Sequence, residues 1–196
     1  MNKEKNICVF CGSSKGNKAS FVEATKELAN VIFQNNGRLV YGGGNVGLMG
    51  VIAEEMLSIG GHVTGIMPQH LADYELFHEG IQEKITVKTM AERKERLLEM
   101  SDFFIALPGG FGTLDEISEV ITSNQLMLMH KPMGILNVDG YFDGLLDFFN
   151  HAVDCQLLRE VHKDMIVFDE NPSLLLEKLE KVKNQPIDDW IEDTKE

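Results

Sequence analysis

The chain has 196 residues, of which 43% are hydrophobic and 25% are charged, a composition typical of a globular protein with one sizeable core. Its formal net charge of -13 excludes the broad basic surface that general nucleic-acid binding requires. No apolar run approaches the roughly 20 residues of a membrane span, so neither nucleic acid nor membrane is an expected partner.

The cysteines and the start of the chain indicate where the protein works. MNKEKNICVF passes from a short polar head into a strand-like run without a signal-peptide cleavage pattern. Cys8, Cys11 and Cys155 favour a reducing compartment over a disulfide framework. Cys8 and Cys11 form a C-x-x-C pair, but their odd separation in a strand places the side chains on opposite faces. We therefore expect structural cysteines in a cytoplasmic protein.

Short apolar runs alternate with amphipathic ones along the chain, which predicts an α/β fold: a Rossmann-like, doubly wound parallel sheet with helices on both faces. The strands are expected within residues 6–14, 37–44, 61–68, 102–110, 132–140 and 164–170, with a weaker one at 84–90. The helices are expected over Lys18–Asn35, Gly47–Ile59, Met90–Met100, Thr113–Met129, Tyr141–Val153 and Ser173–Val182.

The remaining segments show no linker or repeat, so residues 1–196 are expected to form a single domain. Residues 68–85 are the least regular, and we expect a loop with a short helix over the sheet edge. The acidic end, residues 186–196, carries the only tryptophan, Trp190, and is expected to be peripheral.

Glycine-rich turns follow the first, second and fourth of these main strands. They read CGSSKG at 11–16, YGGGNVG at 41–47 and PGGFGT at 108–113. In a doubly wound sheet, ligands bind beyond the carboxyl ends of the strands, where these turns converge. The turns therefore predict a crevice lined by accessible backbone amides.

The second turn also matches a dinucleotide fingerprint. Gly42, Gly44 and Gly47 fit G-x-G-x-x-G between a strand and a helix. The next strand, HVTGIMP, lacks the acidic residue that would hold a ribose hydroxyl, so NAD or FAD is not favoured. Close packing of helix on strand, without a ligand, is the alternative. We expect no cofactor, and the scattered histidines predict no metal site.

The third turn, PGGFGTLDE, has the features of a phosphate site. Gly109, Gly110 and Gly112 leave room for a ligand against the backbone, and Thr113 would be the N-cap of a helix whose free N–H groups face an anion. Glu116 stands three residues after Thr113. It would either complete a capping box with Thr113 or act on the ligand.

A basic pair near another predicted helix start points to the same kind of ligand. In KTMAERKERL, Thr89 is a plausible N-cap with Glu92 as its capping-box partner, so Arg93 and Lys94 fall near the positive end of the helix. Cations there are unfavourable by about 0.3–1 kcal/mol each. A solvated basic patch would account for them, and so would an anionic ligand, for which a guanidinium is well suited.

Taken together, these motifs resemble one family. PGGFGTLDE fits P-G-G-x-G-T-x-x-E and MAERK fits M-x-x-R-K, as in the Lonely Guy family of cytokinin riboside 5'-monophosphate phosphoribohydrolases, formerly described as lysine decarboxylases. VFCGSSKG, YGGGNVGLMG and KPMGILNVDGYF also resemble segments of this family, in its order. The resemblance covers roughly residues 7–152.

The resemblance implies a homodimer that cleaves the N-glycosidic bond of an adenine or N6-prenyladenine nucleoside 5'-monophosphate, giving free base and ribose 5-phosphate. It implies Arg93 and Glu116 as the catalytic pair. The implied phosphate-binding residues are Gly109, Gly110, Gly112, Thr113 and Lys94, and further pocket candidates are Gly12, Ser13, Gly43, Gly44 and Met90. A non-catalytic nucleotide-binding or carrier protein is the alternative. A decarboxylase would need a pyridoxal-phosphate lysine, for which the sequence offers no candidate.

The chain also departs from the family pattern. Residues 123–125 read Ser-Asn-Gln where the family commonly has Trp-Ala-Gln, and residues 156–158 read Gln-Leu-Leu where relatives tend to have Gly-Phe-Ile. These departures leave the identity of the base open. Leu126, Met127 and Met129 add apolar bulk outside the core stripe of the predicted helix, which would suit either a partner surface or a second buried face.

Overall fold

The computed structural model describes residues 4–72 and 77–182, and in these ranges seven parallel strands form one sheet in the order β4-β3-β2-β1-β5-β6-β7. The strands are β1 Lys5–Phe10, β2 Gly37–Tyr41, β3 Val63–Pro68, β4 Glu83–Val87, β5 Phe103–Ala106, β6 Met133–Leu136 and β7 Ile166–Asp169. The helices are α1 Ala19–Gln34, α2 Gly47–Ser58, α3 Gln69–Ala72, α4 Met90–Met100, α5 Phe111–Gln125, α6 Asp143–Asp154, α7 Glu160–Lys163 and α8 Pro172–Lys181. This confirms the predicted Rossmann-like fold.

The strand order reverses at β1, which creates the crevice that ligands use in such folds. Val9 of β1 pairs with Tyr41 of β2 on one side and with Ile105 of β5 on the other. The chain therefore leaves β1 and β5 on opposite sides of the sheet, and a gap opens beyond their carboxyl ends.

Alternating residues of the central strands fill two separate cores. Ile7, Val9 and Cys11 pack with α1, α2 and α8 on one face, whereas Cys8 and Phe10 pack with α4, α5 and α6 on the other. This alternation confirms that the side chains of the C-x-x-C pair lie on opposite faces. Both thiols are free and buried.

The predicted boundaries of two helices were wrong. α5 begins at Phe111 rather than Thr113, with Gly110 as its N-cap, and it ends at Gln125. α6 begins at Asp143 rather than Tyr141, because Val138–Gly140 forms a 3-10 turn with Asp139 at φ 52°. The short helix α7 had no clear signal in the sequence.

Two expectations concern segments at the margin of the described structure. A short helix after Pro68 is present as α3, while residues 73–76 of the same segment lie outside the described residues. The acidic tail, expected to be peripheral, lies entirely outside them as well. Among the described helices, none has the length and apolar character needed to cross a membrane.

Candidate active site

A cleft of about 250 Å³ opens at the carboxyl ends of the strands next to the point where the strand order reverses. It draws on loops and helices from both sides of the sheet. Its lining residues are Cys11, Gly12, Ser13, Gly42, Met49, Met67, Leu71, Arg93, Gly110, Phe111, Gly112, Thr113 and Glu116. The structure therefore brings seven of the predicted site residues to one cavity: Gly12, Ser13, Arg93, Gly110, Gly112, Thr113 and Glu116.

Arg93 of α4 and Glu116 of α5 face each other in this cleft. Arg93 Nη2 lies 3.6 Å from Glu116 Oε1, and the two side chains are only 12% and 11% exposed. Arg93 Nε also donates a hydrogen bond of 3.1 Å to the carbonyl of Ile66, which anchors the guanidinium at the end of β3. The pair is thus a partly desolvated cation and anion, each with atoms still turned to the cleft.

The position of Arg93 depends on the absence of a side chain at Gly42. A Cβ atom built on Gly42 would lie 2.0 Å from Arg93 Nη2. A side chain at position 42 would therefore displace the guanidinium from its place over the end of β2. In the sequence, Gly42 was visible only as the first glycine of G-x-G-x-x-G.

The Glu116 carboxyl is tuned to neutral pH. Burial raises its pKa from 4.5 to about 7, against the opposing effect of the Arg93 guanidinium. The neighbouring Asp115 carboxylate raises this pKa further, and the Lys94 ammonium lowers it. A pKa near the working pH suits a group that takes up and releases a proton.

The glycine-rich loop ends at the amino end of α5. Gly110 is the N-cap, and the first N–H groups of a helix have no intrahelical acceptor, so they form an anion site. Cβ atoms built on Gly110 and Gly112 would meet no described atom within 4 Å outside their chain neighbours and the backbone of α5, and both glycines line the cleft. This leaves open space over the backbone where a phosphate would lie.

Thr113 does not have the predicted capping role. It is 3% exposed and lies inside the first turn of α5, with its Oγ1 2.0 Å from the place that a Cβ on Gly109 would occupy. Among the described side chains, none caps the amino end of α5. The predicted capping box of Thr113 and Glu116 is therefore wrong. Glu116 stands in the second turn of α5, so a purely capping role does not account for it.

Lys94, predicted to lie near the phosphate, contacts two carboxylates of α5. Its Nζ lies 3.0 Å from Asp115 Oδ1 and 2.9 Å from Glu119 Oε2, both on α5. These two hydrogen bonds, with Glu119 the larger influence, raise the Lys94 pKa against the effect of burial. The ammonium thus links α4 to α5. Lys94 is the residue after Arg93, and its partner Asp115 is the residue before Glu116.

The other predicted residues support the cleft without lining it. Gly44 forms an antiparallel bridge with Phe77, and Gly43 accepts a hydrogen bond of 3.2 Å from the His78 amide. Met90 Sδ lies 4.0 Å from Arg93 Nη1. Gly109 lies behind the loop, where its carbonyl accepts a hydrogen bond of 2.6 Å from the Tyr141 hydroxyl.

Gly47, the last glycine of G-x-G-x-x-G, lies in close contact with the turn after β1. Gly47 has φ +60°, and a Cβ on it would lie 2.2 Å from the backbone carbon of Ser13. Gly42 passes close to Arg93 and Gly44 bridges Phe77, so each of the three glycines makes a close contact within the chain. Among residues 4–72 and 77–182, no group of three or more His, Cys, Asp or Glu side chains is arranged to hold a metal ion.

Sequence reasoning missed the apolar half of the cleft. Its members are Cys11, Met49, Met67, Leu71 and Phe111. Their positions just after β1, in the first turn of α2 and at the end of β3 were the available signal. Phe111 is 92% exposed at the rim. Burial raises the pKa of the Cys11 thiol, so that this group is a neutral part of the lining.

Known proteins resemble this chain in sequence. Residues 49–179 match the family model described as "Possible lysine decarboxylase". The chain is 48% identical over 177 residues to cytokinin riboside 5'-monophosphate phosphoribohydrolase LOG2 of Arabidopsis thaliana, covering 90% of this chain and 83% of that protein. It is 44% identical over 187 residues to the cytokinin riboside 5'-monophosphate phosphoribohydrolase LOG5 of the same plant, covering 95% of this chain and 81% of that protein.

Solved structures with lower identity share the fold alone. A molybdenum cofactor binding protein from Rippkaea orientalis superposes with a TM-score of 0.69 at 22% identity, over 92% of this chain and 98% of that one. The molybdenum cofactor carrier protein of Chlamydomonas reinhardtii gives 0.70 at 15% identity, over 92% and 100%. The family match and the plant relatives show that the chain belongs to the Lonely Guy family of cytokinin riboside 5'-monophosphate phosphoribohydrolases.

Proposed function

We propose that this protein hydrolyses the N-glycosidic bond of a purine nucleoside 5'-monophosphate, with adenine or N6-prenyladenine as the base, and releases the base and ribose 5-phosphate. The names of its plant relatives support the reaction class. The observation that carries the proposal is the buried Glu116 carboxyl in the same cleft as the glycine-rich amino end of α5.

The phosphate is proposed to bind at the start of α5. The unpaired amides after Gly110 and the positive end of the helix dipole favour an anion there. Gly110 and Gly112 allow its oxygens to approach the backbone closely, because no Cβ occupies the space. The ribose then extends along the cleft towards the second turn of α5, where Glu116 stands.

Glu116 is proposed to act on the sugar. As the bond between C1' and the base nitrogen breaks, its electron pair leaves with the base and positive charge develops on the ribose. The Glu116 carboxylate stabilises this charge more strongly than the neutral ground state, as catalysis requires. Water adds to C1' and gives a proton to the Glu116 carboxylate, which afterwards releases it to solvent, and the departing base nitrogen takes up a proton from solvent, so that one water is consumed in all. A carboxylate beside a phosphate is therefore useful, because a transient cation forms between them.

Arg93 is proposed to supply positive charge to the substrate. Its Nε is fixed by the Ile66 carbonyl, whereas the terminal nitrogens face Glu116 and the cleft. Two partners are open to it: the phosphate, or the negative charge that develops on the departing base. An Arg93→Lys variant separates them, because loss of a phosphate contact raises KM and loss of a transition-state contact lowers kcat.

A carrier that binds a nucleotide without cleaving it is the rival proposal from another functional class. The similar solved structures named for molybdenum cofactor binding and carriage share the fold. A carboxylate buried beside the anion site favours the enzyme, since binding alone gains nothing from it. A carrier would retain a nucleotide and form no product.

We also propose a homodimer in the cytoplasm. Leu126 and Leu128, just beyond α5, are 42% and 76% exposed, which supports a partner surface. Sedimentation of the protein as a monomer at micromolar concentration would contradict the dimer.

The decisive experiment measures base release. Wild-type protein is incubated with AMP and with N6-prenyl AMP, and free base and ribose 5-phosphate are separated by chromatography. We expect release from at least one monophosphate and a much lower rate on the corresponding nucleoside. Glu116→Gln should lose about 100-fold or more in kcat. Wild-type turnover in that variant would remove Glu116 from the mechanism.

A further inference from the structure

The carbonyl of Gly109 in the glycine-rich loop accepts a hydrogen bond of 2.6 Å from Tyr141. Tyr141 follows the 3-10 turn after β6 and comes from a different part of the chain. The same loop is also tied to the β1 end, because the Gly12 amide donates to the Pro108 carbonyl at 3.0 Å. Two adjacent carbonyls of a glycine-rich segment are thus fixed by residues that follow β1 and β6, the two strands on either side of β5.

The bond from Tyr141 sets the direction of the next amide. In a planar trans peptide the carbonyl and the following N–H point in opposite directions. Because the Gly109 carbonyl turns to the Tyr141 hydroxyl, the Gly110 N–H points away from it. Gly110 lines the cleft and is the N-cap of α5. Tyr141 therefore orients the first amide of the anion site without lining the cleft itself.

The ring of Tyr141 has two aromatic neighbours. Its ring makes edge contacts with Phe21 of α1 and with Phe142, at centroid distances of 5.5 and 5.0 Å. Asp139 of the preceding turn accepts a hydrogen bond of 2.6 Å from Ser20. The two ring contacts hold one side of the phenol, while 45% of Tyr141 stays exposed, and this partial ordering before any ligand arrives lowers the entropic cost of ordering the loop on binding.

We propose that Tyr141 is a positioning residue for the phosphate end of the substrate, acting through the Gly109–Gly110 peptide. The inference rests on the proposed function, because it takes a 5'-phosphate as the anion at α5. A phosphate held equally in the ground state and the transition state contributes uniform binding, so that loss of Tyr141 alignment raises KM and leaves kcat unchanged.

The test compares Tyr141→Phe with wild type and with Tyr41→Phe. The first variant removes only the hydroxyl that binds Gly109. Tyr41 is the matched control, because its buried hydroxyl has no hydrogen-bond partner among the described residues and its side chain does not line the cleft. For Tyr141→Phe we expect KM for AMP to rise about 3- to 10-fold, the effect of one hydrogen bond, with kcat within about twofold. Tyr41→Phe should match wild type in both.

Product binding supplies the readout that a merely structural role would not move. By calorimetry, Tyr141→Phe should weaken ribose 5-phosphate by the same factor as KM and leave adenine binding unchanged. Equal weakening of both products, or of neither, would overturn the positioning role. Wild-type protein that binds ribose 5-phosphate but releases no base would overturn the proposed function alone, and the comparison of the variants would still decide the role of Tyr141.

Discussion

The Arg93 guanidinium and the Glu116 carboxylate lie 3.6 Å apart, too far for a hydrogen bond although both side chains are nearly nine-tenths buried. The cation therefore offsets only part of the desolvation of the anion, and the Glu116 pKa settles at about 7 instead of falling. The oxygen lone pairs of Glu116 stay available to a ligand. A shorter contact between Arg93 and Glu116 would occupy these lone pairs and leave fewer of them for a ligand.

The first prediction concerns the pH dependence of turnover. If Glu116 works as a carboxylate, kcat/KM for AMP should rise with pH and level off above a midpoint near 7, the pKa of its carboxyl in the free protein. The initial rate at AMP concentrations well below KM, followed from about pH 5.5 to 8.5, measures this. A rate that falls through the same range would make the protonated carboxyl the working form and reverse the proposed direction of proton transfer.

The second prediction concerns stability. The folded-state pKa of Glu116, about 7, lies above its ordinary value of 4.5, so the folded protein binds more protons than the unfolded chain between these values. Its contribution to stability therefore falls as pH rises through that window. Glu116→Gln mimics the neutral acid and should increase the free energy of unfolding by about 1–3 kcal/mol at pH 8, with little change at pH 4.5.

Urea denaturation at the two pH values measures this difference. Glu23→Gln, which changes an exposed carboxylate of α1, is the control and should show no such gain. A Glu116→Gln variant that is less stable than wild type at pH 8 would mean that the ion pair with Arg93 outweighs the burial of the acid.

The third prediction separates two roles of Lys94. Because its ammonium contacts Asp115 and Glu119, Lys94→Met should leave KM for AMP within about twofold of wild type. Lys94 also lowers the Glu116 pKa, so the midpoint of the pH–rate profile should move upward. A KM increase of tenfold or more, without a shift of the midpoint, would restore Lys94 to the phosphate site. Arg96→Met, on the exposed face of α4, is the matched control.

Local signals in the sequence were sufficient where a side chain caps an element. α4 spans Met90–Met100 as predicted, because Thr89 accepts a hydrogen bond of 3.1 Å from the Glu92 amide at its start. The start of α5 was predicted two residues too late. Its N-cap is Gly110, which has no side chain that could mark the helix start in the sequence, and Thr113 turns inward. The parallel sheet was predictable for a related reason: buried strands read as continuous apolar runs.

The sequence predicted which residues line the cleft, but not which partners their side chains contact. The motifs placed Arg93 and Glu116 in the cleft, and both line it. The partners of Lys94 depend on how α4 and α5 are rotated relative to each other. The spacing of residues within one helix carries no information about this rotation. The same holds for Tyr141 and Gly109, which meet only because β5 and β6 are neighbours.

The last prediction uses the contact between Gly42 and Arg93. In Gly42→Ala the new Cβ would lie 2.0 Å from Arg93 Nη2, and the guanidinium, at the end of a flexible side chain, has to move. We expect kcat/KM for AMP to fall about 10- to 100-fold, because small displacements of a catalytic group are costly, while the free energy of unfolding changes by less than about 1 kcal/mol. Gly144→Ala in α6, whose Cβ meets no described atom within 4 Å, is the control and should keep full activity. Wild-type kcat/KM in Gly42→Ala would show that the position of Arg93 over the end of β2 does not matter to the reaction.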